Sequence, residues 1–351
     1  MSSRIAVQAL FIALAIASSL VALLLSPENI MAAGFMRGSL THANDLVRET
    51  ALLEVAGLRV LAGIFAALCL AWAIFGTRIA ATGWYRAMLA RPSGLPPAYH
   101  AYQRRSVNAS LLAILALTGL LGLYVVYGMG LLGRETTFLI NREDGVIETV
   151  QALLILLAAI LSATIAWRLP GRGPMVFMHA FLALLFFLMF GEEISWGQRI
   201  FGIETPEGMS AINVQNEINI HNSFGYLFDH LFILCFFLWG VAVPVLDAAA
   251  PVFRGLFRSI GLPVPSRGLA IGMLLATLIQ PVLVQPLFAQ MPTLRVAEAR
   301  ELVSALAFVL LMLEIRAFVT APKAAVARRD AAPTQAGAQT PTQAGAQAGA
   351  R

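Results

Sequence analysis

The sequence predicts an all-α protein, a polytopic transmembrane bundle of about eight helices with a polar extracytoplasmic segment between the fifth and sixth. Three observations lead there. Of 351 residues, 59% are hydrophobic and only 12% are charged, where a soluble domain carries about a quarter charged residues and roughly half apolar ones. The mean hydropathy is +0.78. Apolar runs of membrane-crossing length recur along the chain. This composition excludes an ordinary soluble enzyme, a disordered protein and a nucleic-acid binder of the usual kind.

Taken in order, the runs fall near 5–25, 57–76, 107–132, 147–167, 175–191, 226–246, 268–288 and 301–319, each close to the ~20 residues that cross a ~30 Å hydrocarbon core. The first follows Arg4 and carries small residues (Ala17, Ser18, Ser19, Ala22), as a signal peptide would, but it continues to Leu25. That exceeds the roughly 7–15 residues of a secretory apolar region, so it reads as an uncleaved helix. The fifth run is apolar from Met175 to Phe190 except for His179. The seventh contains Gln280-Pro281 and Gln285-Pro286, where missing amide donors predict a kink. Residues 1–320 form the transmembrane domain. The stretch 321–351 holds the near-duplicate PTQAGAQ at 333–339 and 341–347 and reads as a disordered cytoplasmic tail, too poor in apolar residues to offset its ordering entropy.

Arginine sets the orientation. The segments 77–106 (Arg78, Arg86, Arg91, Arg104, Arg105), 168–174 (Arg168, Arg172), 247–267 (Arg254, Arg258, Arg267) and the tail after 320 alternate with Arg-poor connections. The Arg-rich set belongs in the cytoplasm, and with it both termini. Nearly all acidic residues map to the opposite side; Asp247, Glu314 and Asp330 do not. The net charge of +5 therefore reports membrane orientation rather than a nucleic-acid surface. Cys69 and Cys235 both lie in apolar runs and read as free thiols.

Chemistry concentrates between 191 and 230, GEEISWGQRIFGIETPEGMSAINVQNEINIHNSFGYLFDH. Glu192 and Glu193 end the fifth helix, where adjacent carboxylates are costly unless they bind a cation, pair with Arg or share a proton. If the helix continues, Glu192, Ser195, Trp196 and Arg199 share a face, which makes Glu192 the paired, structural member. If 213–222 is helical, Glu217 and His221 stand at i and i+4 and can face one ion or one substrate. Asp229 and His230 open the sixth helix. A third contribution is NREDGVIETVQ at 141–151, with Asp144 as N-cap and Glu148 and Gln151 on one face of helix four. The candidate catalytic residues are Glu193, Glu217, His221, Glu192 and Glu148, and the candidate metal ligands are Glu193, Glu217, His221 and His230. Such a carboxylate and imidazole set suits Zn, Mn or non-haem Fe. The HExxH, Walker, GxSxG and CxxC patterns do not occur in the sequence.

The blocks EDGVIE at 143–148, GEEISWGQRIFG at 191–202, ETPE at 204–207 and NVQNEINIHN at 213–222 resemble the signature blocks of an uncharacterised family of bacterial multi-pass inner-membrane proteins. The resemblance covers roughly 140–320. It implies a bacterial inner-membrane protein whose distinctive part is the polar segment, and it implies no activity or cofactor. From the residues themselves the first expectation is a membrane-embedded enzyme, metal-dependent or acid–base, acting on a lipid or lipid-linked substrate at the extracytoplasmic face, with membrane lipids as its partners. The alternatives are an ion- or proton-coupled transporter or flippase, in which the Pro-broken seventh helix gates, and a membrane assembly scaffold.

Overall fold

In hydrocarbon a backbone amide finds no water, so apolar runs of this length close their hydrogen bonds within helices. The computed structural model describes residues 2–34, 36–90, 95–142, 145–169, 173–210, 212–213, 216–220, 223, 227–279 and 296–319. Among them there is no strand, and one isolated antiparallel bridge joins Asn213 to Ser223. The helices that matter here are α1 (Ser2–Leu24), α2 (Asp45–Ala80), α3 (Ala109–Leu123), α4 (Val146–Arg168), α5 (Pro174–Glu193), α6 (Leu227–Phe237), α7 (Pro251–Ile260), α8 (Arg267–Leu278) and α9 (Val296–Val319).

Seven apolar helical stretches in the described residues are long enough to cross a membrane: Ile5–Leu24, Val47–Ala80, Ala109–Gly128, Gly133–Arg168, Pro174–Glu193, Leu227–Ala249 and Glu298–Val319. They coincide with seven of the eight expected runs. The remaining run is represented by α8, which is shorter, while Gln280-Pro281 and Gln285-Pro286 and the repetitive tail lie outside the described residues. α2 outruns its apolar core. It extends over 36 residues, through Glu54 to Ala80, about 54 Å at 1.5 Å per residue and well beyond a ~30 Å core. α3 and α6 continue through π-helical turns at Tyr124–Gly128 and Leu238–Ala242. The start of α4 differs from expectation: Gly145 occupies the N-cap position and Asp144 lies outside the described residues. A side chain at Gly145 would meet the carbonyl oxygens of Arg142 and Ile140 at 2.5 and 2.6 Å.

α9 is the axis of the bundle. Of its membrane-length stretch 61% is buried, against 11 to 44% for the others. α4 packs on both α5 and α9, and α8 lies between α3 and α9. The shared core runs through Ile155, Phe186, Phe236, Met273, Phe308 and Leu311, with the rings of Phe186, Phe232, Phe236 and Trp239 all against Phe308. α8 approaches closely because it carries Gly268, Gly272 and Ala276 at four-residue intervals; a Cβ on Gly268 would strike Asn108, and one on Gly272 would strike Ile114 at 2.5 Å. Small residues at this spacing let membrane helices pack backbone to backbone. α1 and α2 pair with each other and join the rest through Phe11 stacked on Phe253 and through Glu54.

Candidate functional site

The polar residues gather at one end of the bundle, in two layers. The inner layer lies within the first or last two turns of four helices. Gln151 of α4, 1% exposed, donates its amide to Glu193 of α5 at 2.8 Å and to Glu301 of α9 at 3.3 Å. Arg300, 2% exposed, donates to Glu301 at 2.6 Å and to Asp229 of α6 at 2.5 Å. Glu298 and Glu148 act electrostatically on Glu193 as well. Among the described residues, Arg300 bonds Glu301 and Asp229, and Glu193 lies within electrostatic reach of Glu301, Glu298 and Glu148. Like charges gathered inside a membrane bundle are costly unless they share a proton or are balanced by a cation. The Oε1 atom of Gln151 is buried with no hydrogen-bond partner among the described residues, which leaves an acceptor at the same place.

The outer layer, the roof, follows directly from α5 in the chain, and its fold departs from expectation. α5 stops at Glu193, and Ser195, Trp196 and Gly197 all take positive φ (45°, 52° and 77°), one turn of left-handed helix. Such a turn costs roughly 1–2 kcal/mol per non-glycine residue and is kept where surroundings over-determine it. Glu192, Ser195 and Trp196 therefore do not share a continuing helix face. Glu192 accepts from the Trp196 indole at 2.8 Å and from the Ile220 amide at 2.5 Å, and the side chain of Arg199 lies outside the described residues. The Trp196 ring lies over Gly191, where a Cβ would sit 2.7 Å from it.

Residues 216–220 are irregular, with Asn216 at φ 58°, so Glu217 does not sit on a helix. His221 lies outside the described residues. Glu217 instead anchors a buried knot: it accepts from Ser195 at 3.0 Å and from Asn219 at 2.5 Å, while its own amide donates to Asn213. Asn213 donates in turn to the carbonyl and side-chain oxygen of Asn219, both at 2.9 Å. Gln198 accepts from the Ile218 amide and donates to Thr205, whose hydroxyl reaches the Asn216 carbonyl. The roof is therefore an ordered polar fold rather than a solvated loop.

The candidates separate accordingly. Glu193 and Glu148 belong to the inner chamber, and Glu192 and Glu217 hold the roof. His230 bonds Glu54 of α2 at 2.5 Å through Nδ1. Glu193, Glu217 and His230 thus hold different partners, and among the described residues no three His, Cys, Asp or Glu side chains form a metal-holding group. Residue-level reading missed Glu301, Arg300 and Glu54. The signal was present in Glu298-Ala-Arg300-Glu301, charges opening an apolar helix.

At the opposite end of α9, Glu314 is 5% exposed and accepts from Ser110 and Ser266 hydroxyls, each at 2.6 Å, and from Tyr102 at 3.3 Å. The two ends of α9 are separated by buried Val303, Ala307, Phe308, Leu311 and Met312, about 20 Å of helix between Glu301 and Glu314. Compared with family models, curated proteins and solved structures, the chain matches none.

Proposed function

We propose that the chain is a membrane-embedded enzyme of a bacterial inner membrane, acting on a lipid or lipid-linked substrate at the extracytoplasmic face. The observation that carries this reading is the Glu193–Gln151–Glu301 bridge, one turn inside the bundle under a strained, hydrogen-bonded roof. A carboxylate so held is suited to exchange a proton with a substrate. In this mechanism Glu193 is the acid–base group and Gln151 orients it. Arg300 keeps Glu301 and Asp229 paired, and Glu148 adds negative charge that favours a proton or cation at Glu193. Glu192 and Glu217 are positioning residues of the roof.

The chain crosses eight times in this reading, with both termini cytoplasmic. Support for the eighth crossing comes from where the last helices begin. Ser266, just before α8, bonds Glu314 near the end of α9, whereas Glu301 near the start of α9 bonds Gln151. Ser266 and Glu301 thus lie at opposite ends of α9, which supports a crossing between them.

The test is a comparison of the lipids and lipid-linked species of cells lacking the protein with cells carrying the parent or Glu193→Gln. The expected result is a species that accumulates on deletion, is cleared by the parent and is not cleared by the variant. Unchanged lipids, with Glu193→Gln equal to the parent in any deletion phenotype, would reject the enzyme. A transporter is the second reading, favoured by the π turns in α3 and α6, which mark helices able to shift register. It predicts proton or cation flux in sealed vesicles that Glu193→Gln abolishes.

A further inference from the structure

The end of the molecule that bears Glu314 holds a cavity of about 670 Å³ that the carboxylate chamber does not use. Among the described residues, Arg104, Arg254, Arg258, Arg267 and His100 line it, with Asp247 as the one acidic residue. Arg254 is engaged by Asp247, donating to its carbonyl at 2.8 Å with the carboxylate at 3.7 Å. The formal balance without His100 is four positive charges against one negative. Apolar residues share the wall, among them Met175 and Phe257.

The helix that supplies two of the arginines was not foreseen in the sequence. α7 sets Arg254 and Arg258 one turn apart towards the cavity, while Leu256 and Ile260 are exposed on it. That segregation belongs to a helix lying along a membrane interface. The opposite wall is fixed. Tyr99, 2% exposed, and Gln103 both donate to the Val264 carbonyl, at 3.2 and 2.9 Å, and Trp239 donates to the Pro263 carbonyl at 2.8 Å. Burial pushes the Tyr99 phenol well above its ordinary range, so it stays a neutral donor. Gly261, at φ 72°, packs where any Cβ would sit 2.4 Å from the Pro174 backbone. The cavity is therefore pre-formed and need not be ordered by its ligand.

From this geometry we infer that the cavity is a binding site for the phosphate headgroup of an anionic membrane lipid, gripped by Arg254 and Arg258 of the interfacial helix together with Arg104 and Arg267. Guanidinium groups meet phosphate oxygens in paired, charge-assisted hydrogen bonds, and the apolar wall suits the glycerol and first acyl carbons. The inference is independent of the enzyme reading, because no residue of the carboxylate chamber lines this cavity.

The experiment uses full-length protein in nanodiscs of phosphatidylcholine alone or mixed with phosphatidylglycerol, with bound lipid counted by native mass spectrometry after mild delipidation. The parent is expected to retain phosphatidylglycerol in preference to phosphatidylcholine. Arg254→Gln/Arg258→Gln should lower that retention by about tenfold or more, the loss of at least one charge-assisted hydrogen bond. Arg104→Gln/Arg267→Gln, on two exposed side chains, is the second variant should the first fail to fold, and the same direction is expected. Equal retention of the two lipids by the parent, or no change in either folded variant, would overturn the site. Displacement of phosphatidylglycerol by millimolar inorganic phosphate would overturn the lipid assignment in favour of a free-anion site.

Discussion

A carboxylate is costly wherever hydrocarbon surrounds it, and Glu192 and Glu193 meet that cost in different ways. Both oxygens of Glu192 are taken, by the Trp196 indole and the Ile220 amide, so its role is to tie the roof to the end of α5. Glu193 reaches inward to Gln151, among Glu301, Glu298 and Glu148. Substitution should separate these roles. Glu193→Gln keeps the shape and is expected to abolish function while the thermal unfolding midpoint in detergent stays close to that of the parent; full complementation of a deletion strain by this variant would remove Glu193 from the chemistry. Glu217→Ala is expected to do the reverse in emphasis. It strips Ser195 and Asn219 of a shared acceptor and should cost about 2–3 kcal/mol of stability, read by thermal unfolding, since buried donors would be left unmade. Glu192, Glu193 and Glu217 were legible in the sequence because ionisable groups beside apolar runs stand out. Glu301 and Arg300 were not picked out, because Gln151 and Glu301 are 150 residues apart and no local period relates them.

Helices of the bundle were legible as elements because a run of ~20 apolar residues has few other solutions in lipid. What escaped was local geometry that composition does not encode. The sequence leaves open whether helix continues past Glu193 and whether 213–222 is helical; Ser195, Trp196 and Gly197 turn left-handed, and 216–220 are irregular. Gly197 carries the turn most directly: a Cβ there would be forced into positive φ and 2.9 Å from the Phe201 ring. Gly197→Ala is therefore expected to destabilise by about 1–2 kcal/mol and to raise the rate at which protease nicks residues between Ile203 and Ser210 of the intact protein. Unchanged cleavage would show that the roof does not depend on this turn. The Gly268, Gly272 and Ala276 stripe of α8 also went unread, since glycines in an apolar run look alike until the neighbour is known. Gly272→Leu should push α8 away from Ile114 of α3 and cost about 1–3 kcal/mol by overpacking, measured by thermal unfolding, whereas the same change at Gly57, which has open space around it, should cost less.

At the scale of the molecule the two ends differ in chemistry, and the difference fixes how the bundle should sit. One end gathers Glu148, Glu193, Glu298 and Glu301, with Arg300 bonded to Glu301 and Asp229. The other carries Arg104, Arg254, Arg258 and Arg267 around a cavity and beside an interfacial helix. Positive charge in short connections stays cytoplasmic during insertion, so the cavity end is expected to face the cytoplasm. The number of crossings decides where the tail goes: eight return it to the side of the N-terminus, and seven would leave it on the far side. Single cysteines at Pro206, Ile260 and Thr334, in a chain with Cys69 and Cys235 replaced, separate these cases with an impermeant thiol reagent. In intact cells the cysteine at Pro206 is expected to react, while those at Ile260 and Thr334 react only after permeabilisation. Reaction at Ile260 with protection at Pro206 would invert the bundle and put the carboxylate chamber in the cytoplasm. Reaction at both Pro206 and Thr334, with Ile260 protected, would mean that α8 and the chain after it do not cross. The chamber would keep its face, but α9 would then have to be inserted in the direction opposite to the one its bonds to Gln151 and Ser266 require.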